Sequence, residues 1–201
     1  MISDSQNFIF VHIPKTAGSS ITKALAPWRS DYIPPETTRR EFFRDPDHFT
    51  QAEYHKLLGS NAANFFTFTA IRNPWDRLVS YYHKGAPRSL LGGMIDNSFE
   101  EFIENRIIHM EPYPRYPGEC RQWAPCTEWF DPLKIDFIIR FENLVQDFEL
   151  ACKKLKIKAE LPHLNASERF GQNYRQFYNK KTRDIVGEYF EKDILTFNYK
   201  F

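Results

Sequence analysis

No stretch of this chain approaches the ~18 uninterrupted apolar residues needed to cross a bilayer. The amino-terminal MISDSQNFIFVHIPK has no basic leader and runs from a short apolar stretch directly into Pro14 and Lys15. A cleaved signal peptide is therefore not expected, and the chain reads as cytoplasmic. Net charge is also missing: 27 Lys and Arg against 26 Asp and Glu leave +1. That balance argues against generalised polyanion binding, nucleic acid included, and leaves room only for a local basic pocket. Cysteine is scarce, and Cys120, Cys126 and Cys152 form neither a CxxC pair nor an even framework. They read as reduced packing residues, and no metal is expected. Internal repeats, low-complexity tracts and long linkers are absent as well.

What is present fits one compact unit. The 201 residues are 42% apolar and 26% charged, which excludes disordered and collagen-like chains. Aromatic residues reach 16%, with 19 Phe. Such rings serve either to fill a core or to stack on an adenine or a sugar.

Phe8 to Ile13 (FIFVHI) is a β-favouring apolar run without helical period, expected as a buried parallel strand. Pro14 to Gly18 is then a turn, and Ser19 to Ala26 a helix stopped by Pro27. Thr50 with Glu53 makes a capping box for a short helix ending at Gly59. Phe65 to Arg72 is the second strand, and Asn73 as N-cap with Pro74 starts a helix that runs to Gly85. Ser98 with Glu101 caps a helix through Ile108, followed by an irregular segment rich in proline. Lys134 to Arg140 holds a third strand, Glu142 to Lys154 a helix, and Thr182 to Phe197 a last helix. Strands separated by helices predict an α/β layered fold with a mostly parallel sheet.

Ligands of such sheets bind beyond the carboxyl ends of the strands. Here those ends are the turn after Ile13, the junction of Arg72 and Asn73, and Arg140. HIPKTAGSS follows a strand and opens a helix, so the N–H groups from Thr16 to Ser20 converge at a helix start, where an anion is favoured. Its Lys precedes the Gly and no second Gly stands at the required distance, so it is not a triphosphate loop of the GxxxxGK[ST] type. In TAIRNPWDRLVSYY, Arg72 ends a strand and Ser80 lies about two turns into the next helix. The guanidinium fork and the hydroxyl both suit phosphate oxygens. Arg77 reads as the partner of a nearby carboxylate.

Together these two segments resemble the donor-binding motifs of the 3′-phosphoadenosine 5′-phosphosulfate (PAPS) dependent sulfotransferases. The similarity is to the carbohydrate type, which includes the heparan and chondroitin enzymes and many small bacterial proteins. HIPKTAGSS is similar to the family's 5′-phosphosulfate loop. Arg72, Asn73, Pro74, Arg77, Ser80, Tyr81 and Tyr82 are similar to its 3′-phosphate motif RNPxxRxxSxYY. RFENL at 140 to 144 and the tail from LPHLNASER to DILTFNYKF also resemble family patterns. The resemblance spans nearly the whole chain. It implies a single P-loop-like α/β domain over residues 1–201, with a mostly parallel central sheet flanked by helices.

The same resemblance implies transfer of a sulfuryl group from PAPS to an acceptor hydroxyl, with adenosine 3′,5′-bisphosphate (PAP) as product and no metal. The donor site it implies comprises Lys15, Thr16, Ala17, Gly18, Ser19, Ser20, Arg72 and Ser80, with Ser167 and Arg169 where the family's C-terminal segment closes over the donor. Lys15 would stabilise the departing oxygen. The family places a His or Glu base between the two motifs, where this chain offers His48, Glu53 and His55. His48 precedes the Thr50 cap, where the helix dipole opposes imidazolium, and is the favoured base. Glu53 otherwise serves the capping box, His55 is otherwise a helix-surface residue, and His12 reads as a core histidine. Arg140 either approaches the nucleotide or pairs with Glu142. Met110 to Trp129 is either an acceptor wall or core and loop. The acceptor is expected to be a carbohydrate or glycoconjugate. A non-catalytic bisphosphate binder lacking a working base is the alternative, followed by a nucleotide or sugar kinase.

Overall fold

The computed structural model describes residues 1–30, 48–85, 98–109, 120–162 and 173–201. Four strands form one sheet in chain order: β1 (Ile2–Ser3), β2 (Phe8–Val11), β3 (Phe66–Ile71) and β4 (Phe137–Arg140). β2, β3 and β4 are parallel, with Phe10 opposite Phe68 and Ile71 opposite Arg140, while β1 runs antiparallel to β2. The α/β architecture with a mostly parallel sheet is thus as the sequence implies. β1 was not anticipated, because two residues carry no readable period. The third strand is shorter than expected: Asp136 lies just outside it and clasps Thr67 through both backbone and carboxylate.

The helices are α1 (Gly18–Ala24), α2 (Gln51–Leu58), α3 (Pro74–Gly85), α4 (Phe99–Ile103), α5 (Leu144–Leu155), α6 (Lys180–Tyr189) and α7 (Glu191–Phe197). The capping box of α2 forms in both directions, Thr50 Oγ1 accepting from Glu53 N and Glu53 Oε2 accepting from Thr50 N. Asn73 Oδ1 likewise accepts from the amides of Trp75 and Asp76 at the start of α3. Two expectations need correction. The helix from Ser98 does not stay α-helical to Ile108: Glu104–Ile108 form a π turn in which His109 N reaches Glu104 O. The single helix expected over Thr182 to Phe197 is two helices, broken at the fully buried Phe190.

The described residues group into two compact units. The first comprises Met1–Ile71 with Cys126–Leu164 and contains the sheet. Phe8, Phe10, Phe68, Ala70 and Ile139 cover one sheet face and pack with Ile21 and Leu25 from α1 and its end, and with Phe148, Ala151, Cys152 and Leu155 of α5. The alternate residues Ile9, Val11 and Thr69 are also buried, so β2 and β3 are covered on both faces as parallel strands require, whereas only Ile139 of β4 is fully buried. The second unit comprises Arg72–Pro125 with Asn165–Phe201. Its core gathers Trp75, Leu78 and Val79 of α3, Phe99, Phe102 and Ile103 of α4, Trp123, and Val186 and Phe190.

Candidate active site

In the first unit the chain leaves β2 through His12 and Ile13 and turns over Pro14 to Ala17 into α1. Lys15 (φ 67°) and Ala17 (φ 72°) are both left-handed, whereas Thr16 and Gly18 are not. The sign of φ therefore alternates along the loop, the backbone pattern that turns successive N–H groups toward an anion. Such conformations are costly for residues with a Cβ and persist only where their surroundings impose them. One such constraint is Thr16, fully buried, whose Oγ1 donates to Ile13 O at 2.8 Å. Another is Gly18: a Cβ there would lie 1.8 Å from His12 Cδ2 and 2.0 Å from His12 Nε2. The His12 ring thus occupies the space that any side chain at 18 would need. No acidic residue stands in the first turn of α1. Lys15 is half-buried, Ser20 buried and Ser19 exposed.

His12 also touches His48. Their ring centroids are 4.6 Å apart, and His48 Nδ1 lies 3.4 Å from His12 O. Burial, then the neighbouring His48 and the amino terminus, lower the His12 pKa to about 3, so its ring is neutral at ordinary pH. His12 Nδ1 is buried without a hydrogen-bond partner among the described residues. Of the other candidates, Glu53 is engaged in the capping box and His55 is exposed on the last turn of α2. Arg140 ends β4 half-buried, its amide donating to Asp147 Oδ2 at 2.7 Å.

The second unit begins at Arg72, one peptide beyond β3. Arg72 is buried, and its Nε donates to Asp76 Oδ2 at 2.7 Å. Ser80 is buried on α3. Arg77 is fully buried, with Nη1 on Ala124 O at 2.8 Å and Nη2 on Gln122 O at 2.9 Å, and Tyr81 Oη donates to the same Gln122 carbonyl. Arg77 therefore braces the 122–124 backbone. Asn73 does double duty, because its Nδ2 also donates to Lys200 O at 2.9 Å. Phe201 in turn packs edge-on against Trp75, Tyr174 and Tyr178. Burial, followed by Asp76 and Tyr174, pushes the Tyr178 phenol well above its ordinary range, and its hydroxyl donates to Trp75 O.

A model described as the sulfotransferase family matches residues 1–200. The chain belongs to the sulfotransferase family. No curated protein matches it.

In this sulfotransferase the expected site residues fall into two local groups. His48, His12, Gly18 and the Lys15 loop are contiguous in the first unit, while in the second Arg72, Asn73 and Asp76 gather at the start of α3 and Ser80 lies about two turns along it. Ser167 and Arg169 lie outside the described residues. The described part of the Met110 to Trp129 stretch turns inward: Trp123, Ala124, Cys126 and Trp129 are buried. Sequence reasoning overlooked Asp76, although an acid four residues after Arg72 on a helix is a recognisable pairing signal. It also set His12 aside as a core residue. Its contact with His48 crosses 36 residues, and no local spacing announces that. Among the described residues no helix is long and apolar enough to cross a membrane.

Proposed function

We propose that the chain transfers a sulfuryl group from PAPS to a hydroxyl of an acceptor, a carbohydrate or glycoconjugate, and that residues 1–201 act as one sulfotransferase domain. The observation that carries this reading is the loop of alternating φ from Lys15 to Gly18 at the end of a parallel strand, in a chain of this family. That loop suits the 5′-phosphosulfate. Thr16 to Ser19 would supply backbone donors, the Ser20 amide expected among them being already engaged with Ala17 O at 3.0 Å, and Arg72 and Ser80 would meet the 3′-phosphate.

In the proposed step the acceptor oxygen bonds to sulfur as the bond from sulfur to the phosphate oxygen breaks. The acceptor proton passes to His48, and PAP departs with the electron pair. The protein's part is to align these groups and to neutralise the leaving side, the task assigned to the Lys15 ammonium. His48 suits the base role because a carbonyl oxygen only accepts. Its contact with His12 O is a hydrogen bond only when Nδ1 carries the proton, and Nε2 then keeps its lone pair. Glu53 is the weaker candidate because its carboxylate already accepts from Thr50 N at 2.6 Å.

Calorimetry with PAP in excess chelator tests the donor site. Metal-independent binding with little affinity for ATP is expected, and equal binding of ATP would favour a kinase.

A further inference from the structure

We propose that His12 is a positioning residue for His48: its carbonyl selects the His48 tautomer, and its ring, packed against both His48 and Gly18, fixes the base relative to the anion loop. The inference rests on the reading of His48 as the base and names a residue that reading does not require. Three observations converge on it.

The first is the absence of space. The Gly18 position exists to admit the His12 ring, since a Cβ there would fall within 2.0 Å of two ring atoms. The ring therefore cannot move toward α1, and the Phe10 ring lies near-parallel beside it with centroids 5.9 Å apart. The second is the double contact with His48, ring against ring at 4.6 Å and carbonyl against Nδ1 at 3.4 Å. A ring held in two ways by one neighbour has little freedom to turn, and pre-orientation of a base is worth large factors in rate. The third is the unpartnered His12 Nδ1. A buried polar atom without a partner costs folding stability, so stability alone does not account for histidine here. The neutral ring adds no charge beside a base that must itself become cationic.

The test pairs spectroscopy with kinetics on the full chain. With 15N-labelled histidine, the parent's His48 should show a protonated Nδ1 and a bare Nε2, assigned by the signals lost in His48→Gln. His12→Ala keeps the carbonyl but removes the ring that holds His48 against it, so the His48 signals should move toward a mixture of tautomers, and kcat should fall about 10- to 100-fold with a smaller change in donor KM. His12→Phe keeps a flat ring and the same backbone, and should restore both the single tautomer and most of kcat. A proton on Nε2 in the parent overturns the proposal, and this arm needs no variant to fold. A transferring parent whose His48 spectrum and kcat ignore His12→Ala overturns the positioning role alone. A parent that transfers no sulfuryl group overturns the reading of His48 as a base and this role with it.

Discussion

Replacing Gly18 by Ala puts the packing of the loop under direct test. The added Cβ would lie 1.8 Å from His12 Cδ2, far inside the 3.4 Å at which ordinary contact begins, and a shift of a few tenths of an ångström cannot absorb that overlap. Either α1 is pushed off the sheet or the His12 ring is expelled from a site where it is nine-tenths buried. Overpacking of this kind costs about 1–3 kcal/mol, and the upper end is expected because ring and helix are both anchored. Truncating the obstacle should remove most of the penalty. In a His12→Ala background, Gly18→Ala should cost less than about 1 kcal/mol, leaving a coupling of roughly 2 kcal/mol. Urea denaturation of the parent, both single variants and the double variant, followed by circular dichroism, measures each corner of the cycle. Costs that add within about 0.5 kcal/mol would refute the close packing of Gly18 against His12.

The remaining expectations concern titration, the donor site and the base. His12 is held near 3 in the folded chain against an ordinary 6.5, so below about pH 6.5 the unfolded state binds a proton that the folded state refuses. Stability should then be fully present above pH 6.5 and fall as pH drops toward 3, by at most about 1.4 kcal/mol per unit. His12→Phe should remove about 2 kcal/mol of the loss between pH 7 and pH 5, and identical pH profiles in urea titrations would contradict the burial of a neutral His12. Arg72→Ala should weaken PAP binding by roughly 1.5–3 kcal/mol while changing affinity for adenosine 5′-monophosphate far less. Comparing the two ligands on one variant cancels the damage done by removing the Arg72–Asp76 ion pair, and equal losses would make Arg72 purely structural. His48→Ala should lower turnover about 100-fold or more and leave PAP affinity nearly unchanged. Near-normal turnover with a large loss in Glu53→Gln or His55→Ala would move the base to that residue.

Legibility in the sequence followed the range of the interactions. The three parallel strands were readable because FIFV and FII are continuous apolar runs and FTFTAI alternates apolar residues with β-branched Thr67 and Thr69, and the starts of α2 and α3 because Thr50, Glu53, Asn73 and Pro74 act within one turn. The break at Phe190 was hidden: Val186, Phe190, Ile194 and Phe197 continue a helical spacing through the bend. Nothing local marks the π turn at Glu104–Ile108 either. In the site, the loop and Arg72 could be found from strand-end position and residue chemistry. The roles of His12 and of Lys200, whose carbonyl holds Asn73, depend on contacts between distant segments, which composition and spacing do not record.

Sulfuryl transfer itself is followed most directly by the fate of 35S-labelled sulfate from PAPS incubated with the parent protein and a panel of hydroxylated carbohydrates in excess chelator. Label is expected in at least one acceptor, with PAP released in equal amount and at least a 100-fold slower transfer by His48→Ala. A folded parent that binds PAP but passes no label to any acceptor class would contradict this activity and identify the chain as a binder of the bisphosphate nucleotide.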